Sequence, residues 1–166
     1  YTNLNTLSLH DALPIYILQD NMEGARRAVE WYIETFGKDN FFLEIQNHGL
    51  PEELRAQQVL CQLADEYGLG IVASNDFHYV MKDDADAQDI RVCIQTGRRR
   101  AEVDRLKFPN DEFYLKSGDE MAELFGHIPG ALENTVKIAD RCNVEFNFDE
   151  HHLPHFDVPE GETSKT

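Results

Sequence analysis

Apolar side chains recur at a helical period twice in the first half of the chain. Ala25, Ala28, Val29, Tyr32, Ile33 and Phe36 fall at i, i+3, i+4, i+7, i+8 and i+11, which predicts an amphipathic helix over residues 21–37, closed by Gly37. Ala56, Val59, Leu60, Leu63, Ala64 and Tyr67 form a second stripe, with Pro51 suited to its first position and Gly68 to its end. Two short apolar runs, Phe41 to Ile45 and Ile71 to Ser74, flank that second helix and read as buried strands. Strand, helix and strand with short connections is the βαβ signature of a parallel sheet with a right-handed crossover. The pattern predicts an α/β layer or barrel.

After His78 the character changes. Asp83 to Gln95 reads as a helix with Ala87, Ile90 and Ile94 inward, and Gly97 to Asp104 as a polar, Arg-bearing connection. Ser117 with Glu120 makes a capping box ahead of Met121, Leu124 and Phe125. Pro129 starts a further helix that points Leu132, Val136 and Ala139 inward and pairs Glu133 with Lys137 on its surface. Residues 146–166 read as loop and stop without a closing element, as a truncated chain does. The first fifteen residues show neither period. LSLHDALPI within them resembles adapter-derived runs, so residues 1–15 are set aside as a leader, His10 and Asp11 included.

Composition narrows the classes. The chain has 166 residues, with 31 acidic against 15 Lys and Arg, for a formal charge of −16. Gripping a nucleic-acid backbone needs clustered cations, so this stretch does not do so by itself. No run approaches the roughly 20 apolar residues that span a bilayer, and no secretory signal is visible. Cys61, Cys93 and Cys142 stand far apart at apolar positions, and read as reduced core thiols of a cytoplasmic protein.

The sharpest local feature is Ser74-Asn75-Asp76-Phe77-His78-Tyr79, directly after the second strand. In extended chain Asp76 and His78 project to one face, at the carboxyl end of a parallel strand where α/β folds place their sites. A carboxylate beside an imidazole suits Zn, Mn or Fe; the alternative is an Asp–His hydrogen bond at the strand exit. Glu44 is a charge in an apolar strand run, either at the same mouth as Asp76 or neutralised by a neighbouring Arg or a backbone donor. His48 reads as a turn residue. Asp83, Asp84, Asp86 and Asp89 read as helix N-terminal acids rather than a two-metal site. Arg98, Arg99, Arg100, Arg105 and Lys107 read as a solvated linker rather than a contact to a phosphate backbone, and His151, His152 and His155 as a loop cluster with a loosely metal-like spacing.

FFLEIQNHGLPEE, GIVASNDFHYV with its acidic helix, RVCIQTG and DEFYLKSGDEMAELF resemble the alpha (catalytic) subunit of bacterial replicative DNA polymerase III. IPGALENTVKIADRCNVEF and HHLPHFDVPEGET do so too, and the resemblance runs from about Tyr16 to Thr163. It implies that residues 16–97 are the C-terminal part of a PHP domain, a distorted (β/α)7 barrel, and that residues 98–166 are a mainly helical connector towards the polymerase palm and thumb. The family's N-D-x-H block falls on Asn75, Asp76 and His78, which makes Asp76 and His78 metal ligands. Some members have lost these ligands, and the family's opening H-x-H ligands would lie upstream. His152 matches a loop position. Arg99-Arg100-Ala101 departs from the family, which has a Thr-Leu-Asp-like connection there.

The resemblance further implies a parent that carries out DNA-templated DNA synthesis from deoxynucleoside triphosphates. Its Mg-dependent catalytic aspartates would lie outside this chain, leaving no polymerase catalytic residue here. The PHP part would hold Zn or Mn, hydrolyse phosphoesters or serve structurally, and dock the proofreading exonuclease subunit and other replicase subunits, in the cytoplasm and away from membranes. Two rivals stay open: a free-standing PHP-type metal-dependent phosphoesterase, and a structural module with a degenerate metal site.

Overall fold

The computed structural model describes residues 12–150. At its centre lies one βαβ unit. Strand β1 (Phe42–Ile45) and strand β2 (Gly70–Ala73) pair in parallel, Phe42 opposite Gly70 and Ile45 opposite Ala73, across helix α3 (Pro51–Tyr67). Both strands alternate half-buried and buried residues, so Leu43, Ile45, Ile71 and Ala73 face the core. Helix α3 begins on Pro51 and ends on Gly68, whose φ of 62° is the left-handed conformation that glycine adopts without steric cost. It buries Ala56, Leu60, Leu63 and Ala64, as the stripe predicts.

Helix α1 (Ala12–Leu18) and helix α2 (Met22–Phe36) pack beside the unit. Leu13 and Ile17 are buried with Ala25, Val29 and Leu60. Residues 12–15 therefore take part in the fold although no period marks them in sequence: a two-turn helix contributes too few apolar positions to show one. Residues 1–11, with His10 and Asp11, lie outside the described residues, as do residues 151–166 with His151, His152 and His155.

Beyond β2 come helix α4 (Ala85–Thr96), entered by a 3-10 turn at Lys82–Asp84, then helix α5 (Gly118–Phe125) and helix α6 (Glu133–Arg141). The capping box forms as predicted: Ser117 and Glu120 bond each other's backbone amides, and Phe125 is fully buried.

Two helix faces differ from the expectation. In α4 the buried residues are Gln88, Val92 and Cys93, while Ile90 and Ile94 are 48% and 77% exposed and Ala87 is exposed. In α6 it is Asn134 that is buried, Val136 and Ala139 are exposed, and the helix starts four residues after Pro129. Lys137 donates to the Asn134 side-chain oxygen Oδ1 at 3.2 Å rather than pairing with Glu133. Among the described residues no helix is long and apolar enough to cross a membrane.

Candidate functional site

The chain leaves the carboxyl end of β2 through Ser74 and Asn75, and Asp76 then takes a φ of 39°. A non-glycine residue in that region is uncommon, and aspartate is among those that tolerate it. The turn brings His78 back beside Asp76, with Nδ1 2.9 Å from the Asp76 carbonyl oxygen and 3.9 Å from its carboxylate Oδ1. A carbonyl at Nδ1 fixes the proton there and leaves Nε2 with the lone pair, the arrangement that metal-binding imidazoles use. Nε2 makes no hydrogen bond among the described residues. Both side chains open on a cleft of about 660 Å³ between α4 and residues 106–113. The His78 ring packs edge-on against Phe108 at 4.7 Å, and its backbone N–H donates to the Phe113 carbonyl at 2.8 Å. The pair thus offers a carboxylate and a free imidazole nitrogen, a donor set that fits Zn or Mn. Among the described residues no third His, Cys, Asp or Glu joins them.

Beneath this turn lies His48, which the sequence pattern reads as a turn residue. His48 is 1% exposed, between the exits of β1 and β2. Its Nδ1 lies 2.7 Å from the Glu53 carboxylate and its Nε2 2.8 Å from the Asn75 carbonyl oxygen. The ring stacks on Phe113 at 4.0 Å, and the His48 backbone N–H donates to Glu53 as well. Asn75 in turn donates its side-chain amide to the Tyr114 carbonyl at 2.7 Å. Two strand exits and the 113–114 segment are therefore tied through one buried imidazole. Glycine and proline at 49 and 51 read locally as a turn. Only the carboxylate five residues after His48, inside the first turn of α3, signals a partner.

No family model matches the chain. It is 44% identical over 153 residues, 92% of its length, to DNA polymerase III subunit alpha of Treponema pallidum. The subunit of Borreliella burgdorferi is 42% identical over 89% of the chain, and that of Thermus aquaticus 42% identical over 91%. Over most of its own length the chain is similar to DNA polymerase III alpha subunits. It spans about 13% of the length of each of these three relatives.

The remaining candidates find ordinary partners. Glu44 accepts from the Ser74 hydroxyl and, at 3.4 Å, from Gln46; no arginine meets it among the described residues, and it lines a second, shallower hollow that Asp76 also borders. The acidic run and the arginine patch neutralise each other in part, through Asp86 and Asp89. Arg105 holds Asp89 in a two-pronged pair, Arg100 reaches Asp86 and Asp89, and Arg98 reaches Glu102. The Arg105 hydrogen bond keeps Asp89 below the usual carboxylate range. Asp84 accepts from the Met81 backbone N–H at the head of the 3-10 turn. All three cysteines are free, but Cys142 is exposed, so the core-thiol reading holds for Cys93 and in part for Cys61.

Proposed function

We propose that the chain is a segment of a replicative polymerase alpha subunit, with residues 16–97 the C-terminal part of a PHP-type barrel and residues 98–166 the connector towards the polymerase core. The whole protein would copy DNA from deoxynucleoside triphosphates in the cytoplasm, together with a proofreading exonuclease and other replicase subunits. Nucleotidyl transfer would use Mg²⁺ on aspartates outside this stretch. The observation that carries the reading is 39–44% identity to alpha subunits of several bacteria. It extends over 92% of the chain in one of them, well past His78, which disfavours a free-standing phosphoesterase.

Within that subunit Asp76 and His78 would supply two ligands of a Zn or Mn centre completed from further residues. Their support is the shared cleft and the carbonyl that turns the His78 Nε2 outward. Such an ion, when bound, lowers the pKa of its water and polarises a phosphoryl oxygen. The test is metal analysis of the full-length subunit, wild type against Asp76→Ala and His78→Ala, with primer extension as the control for folding. Loss of Zn or Mn from both variants with extension retained is the expected result. Unchanged metal content would mean that the module is structural there.

A further inference from the structure

Asp76, Phe77 and His78 form an exposed span between two buried posts, Asn75 and Tyr79. Tyr79 is held by its bridge to Tyr114, where the Leu115 N–H donates to the Tyr79 carbonyl at 3.0 Å. The other post and the middle of the span depend on His48. Its Nε2 donates to the Asn75 carbonyl, which belongs to the peptide group leading directly into Asp76. Its ring lies flat on Phe113, within 10° of parallel, and the Phe113 carbonyl is the one that accepts the His78 N–H. His48 is itself fixed from two sides: by the Glu53 carboxylate on α3, and by the Asn110 amide, which donates to the His48 carbonyl at 2.7 Å. A close-packed ring bonded at both nitrogens keeps one orientation.

We propose that His48, which touches neither side chain, is the positioning residue that holds Asp76 and His78 in one ligand-ready pose. The orientation of the Asn75–Asp76 peptide sets the backbone angle of Asp76, and its φ of 39° is one that a non-glycine residue keeps only where the surroundings impose it. Without a donor on the Asn75 carbonyl, that peptide is free to turn and the strain relaxes. The Asp76 carbonyl then leaves His78 Nδ1, and the carboxylate and the imidazole no longer open on the same cleft. A ligand binding such a loosened pair must supply the ordering that His48 otherwise supplies beforehand, and binds more weakly for it. What the pair binds rests on the metal reading above; the clamp does not.

Two substitutions separate the two bonds of the ring. A glutamine amide reaches the place of Nε2 and keeps a donor for the Asn75 carbonyl, whereas an asparagine amide reaches only the place of Nδ1 and keeps the donor for Glu53. In the full-length subunit, titration with Zn and with Mn should give His48→Asn a dissociation constant roughly ten- to a hundredfold above wild type, the scale on which lost support around metal ligands acts. His48→Gln should stay close to wild type. So should Asn134→Ala, which weakens the fold at β2 without touching the clamp. In EDTA, hydrogen exchange of residues 76–79, followed by mass spectrometry, should speed in His48→Asn but not in the other two. Equal loss of metal from all three variants, or exchange that His48→Asn leaves unchanged, overturns the proposal. Metal lost from Asp76→Ala beside wild-type affinity in His48→Asn would sink it alone. Faster exchange in His48→Asn beside unaltered metal content in Asp76→Ala would sink the metal reading alone.

Discussion

His48 shows what one side chain can hold in place. Both its ring nitrogens face acceptors, so both must carry protons, and the ring is an imidazolium when its bonds are complete. Burial pulls its pKa down, but the hydrogen bond to Glu53, the Asn75 carbonyl and the Glu53 charge outweigh this, and the net shift is upward; Lys116, which Glu112 neutralises in part, opposes it. Glu53 is likewise raised by burial and lowered further by the bonds from His48, for a net fall. The signs set a window. The His48 contribution is complete below its ordinary value of 6.5 and is lost as pH rises through the raised value. The Glu53 contribution is complete above its ordinary 4.5 and is lost as pH falls through the lowered one. Stability from the pair is therefore greatest between those limits. His48→Gln should reduce unfolding free energy by about 2–4 kcal/mol near pH 6, because it leaves a partly buried carboxylate without its cation. The gap between wild type and variant, followed by urea titration, should narrow towards pH 9. A gap that stays constant from pH 6 to 9 would mean that the ring is neutral.

At the scale of elements, what sequence reveals depends on who the partner is. The βαβ unit was legible because its signals are local: an apolar stripe, Pro51 and Gly68 at the ends of α3, short runs on either side. The capping box at Ser117 was legible for the same reason, and there the Tyr114 hydroxyl and the Ser117 bonds hold Glu120 down to about 2. The faces of α4 and α6 were not legible. A period tells which residues share a stripe, but not which stripe meets the protein. The first turn of α6 lies on the outer edge of β2, and that edge offers backbone polar groups. The Ala73 N–H donates to the Ala131 carbonyl at 2.9 Å, and the Asn134 amide donates to the Ile71 carbonyl at 2.8 Å. An amide, not Val136, satisfies a strand edge. The Asp76–His78 pair was legible as D-x-H, whereas the role of His48 was not, since the Asn75 carbonyl it reaches lies far along the chain. Asn134→Ala would leave the Ile71 carbonyl buried without its donor. It should lower unfolding free energy by about 1–3 kcal/mol and speed exchange of the Ala73 amide. Unaltered exchange would show that the Ala131 carbonyl closes the edge unaided.

Over the whole molecule two opposed tendencies remain. Ile94, Val103, Phe77 and Val80 are 77%, 94%, 58% and 60% exposed, and among the described residues the outer edge of β1 pairs with no other strand. Exposed apolar surface and an open edge both favour association, and a two-stranded sheet is barely stable unless something packs on it. Against them stands a charge of −16, which makes two copies repel. Range decides between these forces. Repulsion between exposed charges reaches about 30 Å at 0.01 M salt and about 3 Å at 1 M, whereas burial of apolar surface acts at contact and is not screened. The chain should therefore sediment as a monomer at low salt and associate as salt rises, the reverse of what ion pairs between copies would give. Ile94→Lys should reduce the association at high salt, because it removes apolar area and the side chain is too exposed to matter for folding. Sedimentation velocity across that salt range decides it: association that weakens with salt would mean that complementary charges, not the bare α4 face and β1 edge, draw the copies together.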